Sequence, residues 1–176
     1  VKNNLQTVSA LLRLQSRRIE DPAAAAALDE AVRRIASIAV VHETLSNSTQ
    51  TTVAFDEVLS SLVTHALELS PRMSQLTIER VGEIGSLESR VATPLSLVVT
   101  ELIHNALEHG LYESGTHLKI ELQRYSNEGL VTISDDGVGL PAGFDLLTSA
   151  NLGLQIVRTL TENELKGELR LESTDK

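Results

Sequence analysis

From Val1 to about Ser46 the apolar residues keep to two helical seams, and that pattern constrains the fold more than any other feature of the chain. Val1, Leu5, Val8, Leu12 and Ile19 follow 4-3-4-7 spacing, with Gln15 in the slot where an apolar residue would complete the series. Leu28, Val32, Ile35, Ala39 and His42 follow 4-3-4-3 spacing. Each set lies along one side of an α-helix, as in a heptad. Glu20-Asp21-Pro22 divides them. Asp accepts N–H bonds at a helix start, and Pro suits the first helical position because its missing N–H would find no intrahelical partner there. Two antiparallel helices are predicted. A lone hairpin cannot bury both stripes. Pairing with a second copy as a four-helix bundle is the economical solution, and packing on the domain that follows is the alternative.

After the polar run Ser46–Thr52 the periodicities mix. A short strand is expected at Thr52–Phe55, an amphipathic helix at Asp56–Ser70 ending at Pro71, and a strand at Gln75–Val81. Thr93-Pro94 opens a long helix running to Gly110. Alternating strands follow at Leu118–Tyr125 and Leu130–Ser134, then a Gly-rich loop from Asp135 and a stretch through Ala150. Leu152–Glu162 has helical character, and Glu168–Glu172 alternates as a strand. Helices packed on one face of a largely antiparallel sheet make this an α+β domain.

Three segments of that domain carry groups suited to chemistry. On the long helix, Leu95, Val98, Val99, Leu102 and Ala106 form an apolar side, and Glu101, His104, Asn105 and Glu108 share the opposite one. A carboxylate and an amide on one stripe can hold a hydrated cation through oxygen, the donor Mg²⁺ prefers; a solvated helix face is the plainer reading. Asp135-Asp136-Gly137-Val138-Gly139-Leu140-Pro141 follows a strand directly. Its glycines allow a sharp turn and close approach to a ligand, and a carboxylate at the strand end can accept from an exocyclic amine. Taken alone, Asp-Asp-Gly is more often a turn. In Asn151-Leu152-Gly153-Leu154 a Gly enters a helix, whose free N–H groups and dipole favour phosphate; Gly is also a common cap.

Composition narrows the ligand. Fifteen Lys and Arg against 24 Asp and Glu give a formal net charge of −9, which argues against direct contact with nucleic acid. Trp is absent and Phe and Tyr number two each, too few for a base-stacking platform. An acidic chain still binds ATP where Mg²⁺ and backbone N–H groups meet the phosphates. There is no Cys, which excludes disulfides and thiolate metal sites and fits a cytoplasmic location. No apolar run approaches the roughly 18 residues of a membrane span.

In this order, the polar helix stripe, the strand followed by Asp-x-Gly-x-Gly, and the Gly-led helix resemble the N, G1 and G2 boxes of the Bergerat (GHKL) ATPase fold, shared by histidine kinases, gyrase, Hsp90 and MutL. Val1-Lys2-Asn3-Asn4-Leu5 through Gln15, followed by Arg33-Arg34-Ile35 through His42-Glu43-Thr44-Leu45, resembles the HisKA_2 dimerisation and phosphotransfer helices. The whole chain is similar to actinobacterial sensor kinases of the PdtaS type. The resemblance implies an α+β fold with a hairpin over residues 1–50, forming a dimeric four-helix bundle, and a two-layer Bergerat sandwich over 51–176. It implies an ATP-dependent histidine kinase that passes the γ-phosphoryl group to a histidine and then to a response-regulator aspartate. Asn105 would bind Mg²⁺, and Asp135 the adenine amine. Gly137, Gly139, Leu140, Gly153 and Leu154 would line the nucleotide, under a short lid from Leu140 to Leu152. Glu101 would orient or deprotonate the attacking group, and Asn3 would orient the acceptor. A homodimer and a receiver-domain partner follow, one carried on an RNA-binding antiterminator being a candidate.

The pattern departs from the family at three places. By resemblance the acceptor histidine precedes Val1 by two residues, and the last Gly-Thr strand lies beyond Lys176. Both ends read as cuts in a longer protein, and the chain as written is expected not to autophosphorylate. Glu108 stands where many histidine kinases carry Lys, with His109 as the substitute for a phosphate contact. His42, beside Glu43, sits on the apolar seam and reads as a core residue rather than an acceptor. No His, Asp and Glu spacing suggests zinc. A serine/threonine kinase of the anti-sigma type and a nucleotide-responsive dimer scaffold are the alternative functions; the paired helices argue against the first.

Overall fold

The computed structural model describes residues 2–16, 18–46, 51–68, 70, 72–148 and 151–173, with the side chains of residues 2–6, 9, 13, 34, 37, 38 and 40–46 outside that description. Helices α1 (Lys2–Ser16) and α2 (Pro22–Ser46) form the predicted hairpin. The Ala23 N–H donates to Asp21 Oδ1 at 3.0 Å, so Asp21 caps α2 and Pro22 is its first residue. The Ser16 hydroxyl donates to Asp29 Oδ1 at 2.6 Å and ties the two helices together near the turn.

The rest of the chain is built from β1 (Thr52–Ala54), α3 (Phe55–Glu68), β2 (Thr77–Val81), β3 (Ser86–Glu88), α4 (Ser89–Asn105), β4 (His117–Arg124), β5 (Gly129–Asp135) and α5 (Leu152–Thr159). Strand β4 alternates, with Leu118, Ile120 and Leu122 buried. These residues share one core with Phe55, Val58, Leu59 and Leu62 of α3 and Ala92, Val99 and Ile103 of α4. Helices therefore cover one face of the sheet, as the patterning implies.

Four details differ from expectation. The three-stranded sheet runs β2-β4-β5 and is mixed: β2 is parallel to β4, and β5 is antiparallel to it. The long connection through β3 and α4 returns the chain in the same direction, which a hairpin cannot do. Strand β3, too short to show a period, pairs with β1 in a separate antiparallel ribbon.

Helix α4 starts at Ser89, so Pro94 lies inside it. Pro94 has no N–H for the Arg90 carbonyl four residues back, a loss confined to the first turns of the helix. Residues 168–172 form no strand. Alternation gives them two faces but no hydrogen-bonded neighbour, and Arg170 pairs locally with Glu168 at 3.0 Å.

Candidate functional site

The polar stripe of α4 is buried at Glu101, half-buried at His104 and Asn105, and exposed only where it continues to Glu108. Ser96 and Thr100 are buried with Val98 and Val99, and Leu95 and Leu102 are half-buried, Leu95 against the core. Each hydroxyl donates to the carbonyl four residues back, at 2.6 and 2.8 Å, which satisfies it without water. Glu101 is only 7% exposed. A Cβ placed on Gly153 would come within 2.8 Å of Glu101 Oε2, 3.4 Å of Asn151 Oδ1 and 3.6 Å of Glu30 Oε1. The start of α5 thus lies against Glu101, with Glu30 of α2 beside it. Gly153 is needed for this approach, and the helix cap is Asn151, whose Oδ1 accepts from the Leu154 N–H at 2.9 Å. The Asn151 amide donates to Asn105 Oδ1 at 3.3 Å. Asn105 Nδ2 is buried with no hydrogen-bond partner.

Beyond Asn105 the helix widens into a π-type turn, Ala106–Gly110, closed by a 2.7 Å bond from the Leu111 N–H to the Ala106 carbonyl. Such turns recur at functional sites. The turn brings Gly110 against the end of β5. The Gly110 carbonyl accepts from the Val138 N–H at 3.0 Å, and a Cβ on Gly137 would land on that carbonyl oxygen. The Gly137 N–H donates to Asp135 Oδ1 at 2.9 Å. Asp135, Gly137 and the end of α4 therefore form one corner. Gly139 holds a φ of +74°, and the Leu140 N–H next to it donates to Ser173 Oγ at 3.2 Å.

Asp136 does what patterning alone did not suggest. Its Oδ1 accepts from the Thr116 and His117 N–H groups, both at 2.8 Å, and its Oδ2 lies 3.3 Å from His117 Nδ1. The His117 and Thr116 N–H groups and the His117 ring hold the Asp136 carboxyl below the usual range. The loop after β5 is thereby fastened to the start of β4. Two consecutive aspartates at a strand end were the available signal: one faces the glycine loop and the other anchors it.

Glu108 and His109 line a cleft of about 700 Å³ between the hairpin and the end of α4, with Asp29, Arg33, Arg72 and His104. Arg33 Nη2 lies 3.4 Å from Glu108 Oε1, and His104 Nδ1 lies 3.6 Å from it. His104, Arg33 and His109 hold the Glu108 carboxyl below its usual range. The side chains of Asn3 and His42 lie outside the described residues. Among the described residues no group of three or more His, Cys, Asp or Glu forms a metal cluster. The set around Asn105 is different in kind: its amide Oδ1 and the buried Glu101 carboxylate are oxygen donors, the kind that fits a hard dication keeping its other ligands from water and phosphate. The unpartnered Asn105 Nδ2 is an N–H donor and fits a phosphate oxygen rather than the cation.

Residues 1–70 match the HisKA_2 family of histidine kinases, and residues 90–176 match the HATPase_c family of histidine kinase-, DNA gyrase B- and HSP90-like ATPases. The chain is 46% identical over 171 residues to the sensor histidine kinase PdtaS of Mycobacterium tuberculosis, covering 96% of this chain and 34% of that protein. It is 45% identical over 172 residues to PdtaS of Mycolicibacterium smegmatis, with the same coverage. The chain thus spans about a third of the length of these curated relatives. Its fold is similar to the histidine kinase domain of the Erythrobacter litoralis EL346 blue-light-activated kinase, with a TM-score of 0.69, 18% identity and coverage of 91% of this chain and 84% of that one.

Proposed function

The chain belongs to the histidine kinase family, and on that premise we propose that it is the catalytic core of a two-component sensor kinase, which binds Mg·ATP and passes the γ-phosphoryl group to a histidine and on to a response-regulator aspartate. Residues 1–50 serve dimerisation and phosphotransfer, and residues 51–176 hold the nucleotide. The observation that carries this reading is the meeting of three distant segments at one end of α4: Glu101 with Gly153 and Asn105 with Asn151 on one side, Gly110 with Asp135 and Gly137 on the other.

In this reading Asp135 accepts from the adenine amine. Gly137, Gly139 and Leu140 line the base and sugar side. The N–H groups of Leu152 and Gly153 at the start of α5 face the phosphates, with Leu154 beside them, its own N–H held by Asn151. Asn105 holds Mg²⁺, which neutralises phosphate charge when bound. Glu101, buried beside Gly153, orients the attacking imidazole or accepts its proton, while the γ-phosphorus–oxygen bond breaks and a nitrogen–phosphorus bond forms. Phosphoryl transfer asks mainly for such positioning. His109 reaches the phosphates from the cleft it lines with Arg33, and Asn3 of α1 orients the acceptor. The hairpin pairs with a second copy, and the receiver domain of a response regulator is the partner, one joined to an RNA-binding antiterminator being the finer candidate. No helix among the described residues is long and apolar enough to cross a membrane; we place the site in the cytoplasm, where ATP and the receiver domain are found.

The test is calorimetry of ATP binding to wild type and Asp135→Asn. A hydrogen bond to a charged acceptor contributes about 1.5–3 kcal/mol, so affinity should fall roughly tenfold or more. Equal affinity would remove Asp135 from the site.

A further inference from the structure

We infer that Gly110, at the end of the π-type turn after α4, is a positioning residue that sets where the Asp135 carboxylate stands and so how strongly the site selects adenine. The inference rests on the reading of Asp135 as the acceptor for the adenine amine. A Cβ on Gly110 would lie 2.6 Å from Asp135 Oδ1, 2.8 Å from its Cγ and 2.8 Å from its Oδ2. All three nearest atoms belong to this one carboxyl group. No ordinary contact is that short, so the group must move. Asp135 has a short side chain, whose rotation swings the carboxylate away from the Gly137 N–H it now holds at 2.9 Å.

The backbone cannot yield instead. The Gly110 carbonyl is fixed by the Val138 N–H at 3.0 Å, and Gly137 is packed so closely on that carbonyl that it admits no side chain of its own. The turn is locked on its other side by the Leu111-to-Ala106 bond and by Arg72, whose guanidinium donates to the Leu111, Tyr112 and Gly115 carbonyls. Absence of a side chain at Gly110 therefore determines the position of an acceptor 25 residues away in sequence.

Binding of ATP and of inosine triphosphate, which lacks the exocyclic amine, is measured for wild type, Gly110→Ala, Asp135→Ala and the double variant. Wild type should prefer ATP. Gly110→Ala should lose about tenfold in ATP affinity while inosine triphosphate affinity holds, so the preference collapses. Parallel loss of both nucleotides, or no loss, would overturn the role of Gly110. Should Gly110→Ala unfold, the double variant, which deletes the clashing carboxylate, must recover the melting temperature of Asp135→Ala; failure to recover would equally overturn it. A wild type indifferent to the amine would instead refute the assignment of Asp135, and the two failures are thereby distinguished.

Discussion

Asp136 shows how a single side chain can fasten a loop to a neighbouring strand. Both backbone N–H groups it accepts belong to the start of β4, so removing the acceptor releases the loop that carries Asp135. Asp136→Ala is expected to weaken ATP binding severalfold, whereas Asp136→Asn keeps a carbonyl oxygen and most of the affinity; calorimetry on the two variants separates them. The pH sign follows from the depressed carboxyl. A carboxylate favoured in the folded state contributes fully above the ordinary aspartate range near about pH 4, and the contribution fades as pH falls through the lowered value. Amide shifts of Thr116 and His117 should hold constant from neutrality downward and move only in acid. A midpoint above about pH 5 would contradict the anchoring.

Among elements, α4 does most to assemble the molecule: it packs on α3 in the core, on α2 of the hairpin and on α5 at the site. Its two kinds of contact differ in magnitude. Ile103 is buried in the core, and Ile103→Ala should cost about 2–5 kcal/mol in chemical denaturation. Arg33 and Glu108 join α2 to the turn after α4 at 3.4 Å, but both side chains are partly exposed. Arg33→Ala should cost less than about 1 kcal/mol. Larger loss on Arg33→Ala than on Ile103→Ala would mean that the hairpin contact, not the core, dominates stability. The Glu108 carboxyl, held low first by His104 and then by Arg33, carries the same pH sign as Asp136: its contribution is present above the ordinary glutamate range and lost as pH falls through the lowered value. Sequence spacing placed α4 well but not its start, because the first-turn rule for Pro is a preference and burial of Ala92 and Pro94 in this element outweighs it.

At the scale of the whole molecule the hairpin faces two ways. Val32 is 1% exposed against the rest of the chain, yet Val8, Leu11 and Leu14 of α1 are 43%, 56% and 58% exposed. The two packing alternatives left by the heptad pattern are thus not exclusive: α2 meets the ATPase-like domain, and α1 keeps apolar surface for the proposed second copy. Replacing Leu11 and Leu14 together by Glu should convert a dimer into a monomer that still binds nucleotide, as read by light scattering and calorimetry. A wild-type monomer at micromolar concentration would count against the bundle.

What the sequence alone determined was local or periodic. Asp21 and Pro22 as a helix start, the alternation of β4, and the Asp-x-Gly-x-Gly loop follow from hydrogen-bonding and steric rules that act within a few residues. Tertiary structure decided the rest: the parallel pairing of β2 with β4, the absence of a ladder at residues 168–172, the burial of Glu101, and the anchoring by Asp136. Each of these depends on what a distant segment brings alongside. Strand direction depends on the route of the connection, and a carboxylate is buried or solvated according to the neighbour packed on it. Gly110 and Asp135 illustrate the difference, since nothing within either local segment indicates that a missing methyl group in one leaves room for the carboxylate of the other.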